Sequence, residues 1–399
     1  MKTESNVHKL TFSKMEGRSS NFAILQWALI ALCLVGVAGF FIMYIVGHNT
    51  LSSSSVVPWG MPIILAIYLI GLSAGSLILS SLTYVFGKEQ YRPIARLAVF
   101  MALVLILGAM LGIVLDLGRP EKSWRLFAFF VMNNMRSMFA INGILYGGYF
   151  LISLIYLSFI FAENKKVTKI MGIVAVSWAS LVHMGTGAIF GFIATRPIFY
   201  SPIKPLEFLS AAMVSGLALL ILAIYFVFKF TGRKFDQEII FQLSRLLLAL
   251  IAFLTLLVFI DKLTHFYPPH RDAVIWLLTG PFAWIFWGLQ IVCAYVIPMI
   301  ILINPRTRKS LKWVLTAAFF VVVGIFGERF ALVVPGTAQP LPLYPGHIEG
   351  TWGMAGTFFP SPVEMMVSVG IFALMGLIFI MGLKNLELLP VSDDADAHT

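Results

Sequence analysis

A single histidine lies deep inside a long apolar run of the sequence. On a helix, His183 shares one face with Ser180 and Gly187, and Thr186 lies beside it. Such an imidazole can donate a hydrogen bond to a carbonyl ligand or carry a proton near neutral pH. It can equally be a structural histidine that hydrogen-bonds a backbone carbonyl of a neighbouring helix. Haem with two axial histidines is disfavoured, because His265 falls at the end of its apolar run.

A carboxylate and a guanidinium three residues apart end another apolar run. Asp116 and Arg119 flank Gly118, and Pro120 follows them. The segment is compatible with a plain corner, in which the glycine caps one helix and the proline begins the next. The charged pair can also gate a ligand site at the end of the helix. We predict that it connects His183 to the aqueous phase.

The next loop, 117–135, interleaves bases with acids. Arg119, Lys122 and Arg125 supply positive charge, whereas Trp124 and the apolar run 127–131 supply surface of the kind that protein interfaces favour. A solvated loop is the plain alternative. We predict a docking surface for a partner subunit, to which 335–361 also contributes.

The second half of the chain carries its own series of charged residues near apolar runs. Carboxylates near a membrane interface are often merely solvated, but buried ones need partners and can relay protons. Phe326 and Phe330 flank one acid–base pair with apolar surface, which predicts burial. The predicted proton-relay residues are Glu207, Asp261, Glu328, Arg329 and Glu364.

The elements that position these residues follow from the composition. The 399 residues are 59% hydrophobic and only 12% charged, whereas a soluble domain has about 25% charged residues. The sequence therefore predicts an all-α polytopic membrane protein, since about 20 apolar residues span a bilayer core. Ten spans are predicted near 22–47, 60–86, 94–116, 136–162, 167–195, 205–231, 239–263, 274–303, 311–334 and 362–384. Two cysteines, Cys33 and Cys293, are too few for an iron–sulfur cluster, which takes about four thiolates.

The basic residues predict the orientation. With the N-terminus inside, 18 lysines and arginines face the cytoplasm and nine face outside, as the positive-inside rule requires. The expected organisation is a cytoplasmic tail (1–21) without a removable signal peptide, a membrane domain (22–384) and a cytoplasmic tail (385–399), in the inner (cytoplasmic) membrane. The formal charge of +10 then reflects short cytoplasmic loops, and no nucleic-acid partner is needed.

Glycines distinguish spans two to five. Each carries a Gly-x-x-x-Gly motif, which lets helix backbones approach closely, and spans six to nine carry none. The motifs are Gly71/Gly75, Gly108/Gly112, Gly143/Gly147 and Gly187/Gly191. They favour a compact four-helix bundle around His183, with Tyr68, Ser73 and Asn142 as secondary ligand contacts; ordinary close packing is the alternative.

Short motifs together resemble the NrfD/polysulfide reductase (PsrC) family of membrane subunits. They are Pro58-Trp59-Gly60, Asp116-Leu117-Gly118-Arg119, His183, Pro205-Leu206-Glu207, Arg329 with Pro335-Gly336, and Phe359-Pro360-Ser361 with Glu364. The ten-span length is most similar to the branch with the membrane subunit of the sulfite-reduction-associated complex (DsrP-like) and the hydrogenase-2 anchor (HybB-like). The similarity extends over spans two to ten.

The resemblance implies a subunit without a bound metal or covalent cofactor that reacts with quinone, with menaquinone as the expected substrate, in a multisubunit respiratory complex. It implies two four-helix bundles, spans two to five and six to nine, with flanking spans. The quinone pocket is expected in the first bundle at the extracytoplasmic side, beside a ferredoxin-like iron–sulfur subunit. His183, Asp116 and Arg119 are the expected quinone-site residues, and a role in dissimilatory sulfur metabolism is expected.

Two other classes of function stay open at this point. A secondary transporter or proton-translocating module predicts inverted repeats and helices broken at the midplane, which the asymmetric glycines do not favour. A pure membrane anchor, surrounded only by lipid and other subunits, predicts that His183 and Asp116 are dispensable.

Overall fold

Ten long helices follow one another along the chain. The computed structural model describes residues 11–17, 19–125, 128–129, 132–233, 235–341 and 353–391. Within these ranges ten helices are long and apolar enough to cross a membrane, which confirms the predicted all-α polytopic architecture. They are α1 (Ser20–Val46), α2 (Met61–Tyr84), α3 (Arg92–Asp116), α4 (Met138–Phe161), α5 (Lys165–Gly191), α6 (Lys204–Thr231), α7 (Gln237–His265), α8 (Ile285–Ile303), α9 (Leu311–Ala338) and α10 (Pro362–Asn385).

Polar caps and prolines define several of these helix ends. The Ser19, Asn164 and Asp236 side chains accept backbone N–H groups at the starts of α1, α5 and α7. Prolines occupy the first turn of α2, α3, α6 and α10, where the missing N–H costs little. Gly232, at φ +68°, ends α6 in the left-handed conformation that glycine adopts without strain.

The long helices form two four-helix bundles and a flanking pair. In the first bundle α2 packs against α3 and α5, and α4 closes the ring between them. In the second bundle α6, α7, α8 and α9 form a corresponding ring. Helix α6 joins the bundles through contacts with α2 and α5, and the α1–α10 pair packs on α3.

One predicted span is wrong in extent. The sequence predicted a single helix over 274–303, but the structure has a short helix, Arg271–Thr279, a break at Gly280, and then α8 from Ile285. Pro281 cannot donate a backbone hydrogen bond, so the helix stops before it. Helix α8 is itself irregular, since i→i+5 hydrogen bonds run over Ile285–Val296.

The glycine motifs make different contacts from those predicted. A Cβ on Gly75 would clash with the backbone of Gly216 in α6, and one on Gly187 would clash with Pro205 and Lys204. Gly108 faces Met375 of α10, whereas Gly112 faces Pro62 and Ala66 of α2 within the bundle. Most of these glycines therefore permit close packing of the first bundle on its neighbours rather than packing inside it.

The two ends of the described chain meet on one side of the helices. Strand β1 (Phe12–Ser13) pairs antiparallel with β2 (Leu389–Pro390). The Arg233 guanidinium donates to the carbonyls of Leu389, Pro390 and Lys14 and to Ser13 Oγ. Partial burial lowers the pKa of Arg233 from its ordinary value, but a guanidinium stays charged at any physiological pH. The described segments 11–17 and 386–391 therefore lie together on one side of the helices.

Candidate functional site

A cavity of about 320 Å³ opens between the four helices of the first bundle. It lies near the start of α2, the end of α3, the start of α4 and the end of α5, which is the end that carries the 117–137 connection. Its lining is Trp59, Ile63, Ala66, Ile67, Ile70, Met110, Ile113, Val114, Asp116, Leu117, Ser123, Phe139, Asn142, Gly143, Tyr146, Thr186, Ile189 and Phe190. An apolar cavity with a few polar groups is the usual form of a small-molecule site, for which volumes of about 300–1,000 Å³ are typical.

Aromatic rings form one wall of the cavity. The Trp59 ring lies 5.7 Å from Phe139 and 5.6 Å from Phe190, between ring centroids. Such tilted and edge-on pairs stabilise the wall beyond simple burial. The wall suits a flat, apolar ligand.

Asn142 is a polar residue of the lining whose hydrogen-bonding capacity is only partly used. Its Nδ2 donates to the Met138 carbonyl at 2.7 Å, one turn earlier on α4. Its Oδ1 is buried and has no hydrogen-bond partner among the described residues. An orphaned buried acceptor costs about 1–3 kcal/mol, so a polar ligand group that reaches this oxygen gains a favourable hydrogen bond.

Tyr146 and Thr186 form a hydroxyl pair deeper in the cavity. The Thr186 hydroxyl donates to the Val182 carbonyl at 2.7 Å. Its oxygen lies 3.0 Å from the Tyr146 hydroxyl, and since the threonine proton is used, Tyr146 donates this bond. The tyrosine oxygen keeps its lone pairs as acceptors. Neither residue was among the predicted ligand contacts.

Asp116 lies where the cavity meets the 117–137 connection. It is partly exposed and lines the cavity, while its Oδ1 has no partner in the described part of the chain. A carboxylate in this position can exchange a proton with both the cavity and the outside. Arg119 is exposed beside it but does not line the cavity.

His183 lies directly beneath the cavity and does not line it. Its Nδ1 is 2.9 Å from the Ala179 carbonyl and its Nε2 is 3.0 Å from the Ile70 carbonyl. The Ile70 side chain lines the cavity, so the imidazole is one hydrogen bond away from a lining residue. Since a neutral imidazole has only one N–H, it can serve only one of these two carbonyls.

Of the three residues predicted as secondary ligand contacts, only one lines the cavity. Asn142 lines the cavity, but Tyr68 and Ser73 do not. The Tyr68 hydroxyl donates to the Val322 carbonyl of α9 at 2.9 Å, across the bundle interface. Ser73 Oγ lies 2.6 Å from the Ala102 carbonyl and 3.1 Å from the Tyr149 hydroxyl, inside the first bundle.

Lys204 connects two of the predicted relay acids. Its buried ammonium donates to Glu207 at 2.7 Å and to Asp261 at 3.0 Å. Lys262, partly exposed, also donates to Asp261 at 2.8 Å. The network therefore runs from the interior of the second bundle to its surface. The predicted span 205–231 begins after Lys204, although the position of Lys204 three residues before Glu207 on one helical face is a usable signal for this pair.

Glu328 and Arg329 form a second buried network on α9. Glu328 accepts from the Tyr295 hydroxyl at 3.2 Å and pairs with Arg329 at 3.4 Å. Gln290 donates to the same tyrosine at 3.4 Å. The Arg329 guanidinium lies 4.0 Å from the centre of the Phe208 ring, next to Glu207 in the chain. Its Nε and Nη2 have no partner among the described residues.

Glu364 has a structural set of contacts. Its carboxylate accepts from the Met61 N–H at 3.2 Å and the Ser361 N–H at 2.8 Å, which ties the starts of α2 and α10 together. A Cβ at Gly60 would collide with this carboxylate, which explains the glycine of the Pro58-Trp59-Gly60 motif. The helix N-termini stabilise its negative charge.

Part of the predicted docking surface is described. Trp124, Phe129, Met132 and Met135 are exposed at the cavity end of the first bundle, and the Arg125 guanidinium lies 5.5 Å from the Trp124 ring centre. The predicted contributions of Phe127, Phe130, Val131 and 342–352 lie outside the described residues.

The architecture and the cavity define a polytopic integral membrane protein. A family model described as "Polysulphide reductase, NrfD" matches residues 48–340. The chain therefore belongs to the NrfD/polysulfide reductase family, as its motifs predicted.

Three curated relatives match along most of their length. The chain is 36% identical to the Hdr-like menaquinol oxidoreductase integral membrane subunit of Archaeoglobus fulgidus, over 95% of this chain and 96% of the relative. It is 28% identical to a selenate reductase subunit of Mesobacillus selenatarsenatis, over 90% and 92%. It is 25% identical to the menaquinone reductase integral membrane subunit of Nitratidesulfovibrio vulgaris, over 83% of each chain.

Proposed function

We propose that this protein is the quinone-reactive membrane subunit of a respiratory oxidoreductase complex, with menaquinone as its exchangeable substrate. The carrying observation is the apolar, aromatic-walled cavity whose buried Asn142 Oδ1 lacks a partner among the described residues. The names of two relatives, a menaquinol oxidoreductase subunit and a menaquinone reductase subunit, support the choice of substrate.

Different residues in and near the cavity are proposed to bind the quinone and to transfer protons. The Trp59 wall holds the flat ring. Asn142 Oδ1 and the Tyr146 oxygen accept hydrogen bonds from the hydroxyl groups of the quinol, and the second N–H of the Asn142 amide donates to a carbonyl of the quinone. Conversion of a quinone to a quinol takes up two electrons and two protons, so the site needs a proton path as well as an electron donor. Asp116 supplies the path to the aqueous phase, and His183 supplies a second proton from beneath the cavity.

The electrons come from or go to an iron–sulfur subunit on the extracytoplasmic side. Two cysteines cannot hold a cluster in this chain, and the exposed Trp124, Phe129 and Met132 lie at the cavity end beside Arg119, Lys122 and Arg125. A partner docked there comes close to the cavity. The partner's ferredoxin-like character and a role in sulfur metabolism, in the DsrP-like branch, rest on the resemblance.

The excess of basic residues in the loops on the tail side supports a cytoplasmic location of both termini in the inner membrane. Labelling a Lys309→Cys variant from the two sides of the membrane, with Cys33 and Cys293 replaced by serine, tests this. Reaction from the extracytoplasmic side would reverse the topology.

Proton translocation is a second candidate function. The buried networks around Lys204 and Glu328 support it, because ionisable groups inside a membrane are costly and are usually retained for transport or relay. Glu207, Asp261, Glu328 and Arg329 are the proposed relay residues. Glu364 is less suited, since both of its oxygens are engaged with backbone N–H groups.

A matched pair of tyrosine variants tests the quinone site. Tyr146 and Tyr149 are buried on the same helix, but only Tyr146 lines the cavity. In the purified complex, we expect Tyr146→Phe to weaken menaquinol-linked turnover about tenfold, the effect of one lost hydrogen bond. Tyr149→Phe, which loses a contact with Ser73 instead, should retain it. Equal behaviour of the two variants contradicts the proposed site.

A further inference from the structure

A groove of about 560 Å³ lies between α6 and α9, at the end of the second bundle nearest the chain termini. Leu222, Tyr225 and Phe226 of α6 form one side, and Leu315 and Phe319 of α9 form the other. These side chains lie one turn apart on each helix, so the groove runs along the helices. An acyl chain fits such an elongated apolar groove.

Positive charge is concentrated at one end of this groove. Lys312 lines it, and the Lys229 ammonium lies 5.3 Å from the centre of the Tyr225 ring. Both lysines are exposed, and neither makes a salt bridge in the described part of the chain. From residue 304 to 327 the sequence has four bases and no acid.

The start of α9 adds to this positive field. The helix begins at Leu311, and the Ser310 side chain caps no backbone N–H there. Free N–H groups at a helix N-terminus favour an anion. The apolar groove and its positively charged end therefore complement the apolar chain and the negative headgroup of one amphiphilic ligand.

We propose that this groove binds an anionic phospholipid, with the phosphate near Lys229 and Lys312 and an acyl chain between α6 and α9. A general lipid shell needs only an apolar surface. This site also has two lysines at one end of the groove, and their positive charge complements a negative headgroup. Bound there, the lipid bridges two helices of the second bundle.

Titration of the purified complex with phosphatidylglycerol and with phosphatidylcholine of the same acyl chains, followed by native mass spectrometry, tests the proposal. The wild-type protein should prefer phosphatidylglycerol. A double variant, Lys229→Gln with Lys312→Gln, should weaken phosphatidylglycerol binding about 25-fold, since each lysine near a headgroup contributes about fivefold. Filling the groove with the larger side chain of Thr316→Phe should weaken binding of both lipids.

Lys165→Gln with Lys166→Gln provides the control, because these exposed lysines begin α5 on the same side of the membrane without lining the groove. This double variant should bind phosphatidylglycerol within about twofold of wild type. Equal binding of the two lipids, or equal loss in the two double variants, overturns the proposal. An effect of Thr316→Phe alone would assign the groove to a neutral chain and also overturn it.

Discussion

Asn142 and His183 are buried polar residues of the first bundle, but their hydrogen bonds leave them different capacities. The Asn142 oxygen has no hydrogen-bond partner in the described structure, so a ligand that reaches it breaks no existing hydrogen bond. Both nitrogens of His183 already contact carbonyls. The imidazole can therefore pass a proton to the cavity region only by exchanging one of these contacts.

Two substitutions of His183 separate proton handling from helix bridging. We expect His183→Ala to lower stability by about 1–3 kcal/mol, because it removes the donor to a buried carbonyl, and to lower quinone-linked turnover about 100-fold or more. His183→Gln keeps a donor, so it should be stable but as slow as the alanine variant. Turnover with menaquinol and melting temperature are the measurements. In both variants the partner should stay bound, with its clusters reducible by an artificial donor.

Full turnover in His183→Gln would leave only the bridging role. Loss of the whole complex in both variants would likewise indicate that His183 only holds two helices together.

Tyr295 offers a mild test of the proton relay in the second bundle. Glu328→Gln should slow proton movement in liposomes, but it leaves Arg329 buried without its partner, which typically costs about 3–5 kcal/mol. Tyr295→Phe removes only the hydroxyl between Gln290 and Glu328, so we expect slower proton movement in a stably folded complex. Tyr149→Phe, buried in the first bundle and outside the cavity lining, is the control. The relay proposal fails if Glu328→Gln and Tyr295→Phe both leave turnover and proton movement intact.

At the scale of elements, close helix contacts depend on particular glycines. Gly75 in α2 and Gly216 in α6 each occupy the space where the other's Cβ would lie, which brings the two bundles together. Gly36 of α1 and Gly370 of α10 are paired in the same way. Since lipid supplies no hydrophobic drive between helices, such backbone contact is a main source of association energy.

Gly75→Ala should therefore destabilise the interface between the bundles. The added methyl overpacks a backbone contact, which typically costs about 1–3 kcal/mol. Gly147→Ala belongs to the same class of motif, but a Cβ there meets nothing within 4 Å, and alanine favours helix. Thermal unfolding in detergent should show a lower melting temperature for Gly75→Ala only. Equal melting temperatures would mean that the α2–α6 interface accommodates the added methyl without loss of stability.

At the scale of the whole molecule, the two ends of the helical assembly differ. At one end, Arg233 and the β1–β2 pair hold together the described terminal segments, 11–17 and 386–391. The other end has the cavity, with Asp116 beside the exposed apolar and basic surface of the 117–137 connection. We therefore expect the redox partner at the cavity end.

Charge reversal at that surface tests the location of the partner. Lys122→Glu with Arg125→Glu should release the iron–sulfur subunit during purification in moderate salt, because like charges then oppose its docking. Lys165→Glu with Lys166→Glu, at the opposite end of the molecule, should not. Co-purification measured by subunit stoichiometry distinguishes the two. Retention of the partner by the first variant would move the interface elsewhere.

The sequence by itself determined the number and approximate limits of the helices, because membrane spans are defined by local composition and length. Its motifs also identified the family and placed Asp116 and Asn142 in the region of the cavity. The break before α8 was missed, since hydropathy averaged over a window does not register one Gly-Pro step.

Only the tertiary structure decided which polar groups meet. Lys204 and Asp261 are 57 residues apart in the chain, and Tyr68 contacts a carbonyl 254 residues away. Local patterns place a residue on a helix face, but the neighbouring helix on that face depends on how all ten helices pack. For this reason Tyr146 and Thr186 emerged as cavity residues, whereas His183, Tyr68 and Ser73 proved to hydrogen-bond other parts of the protein.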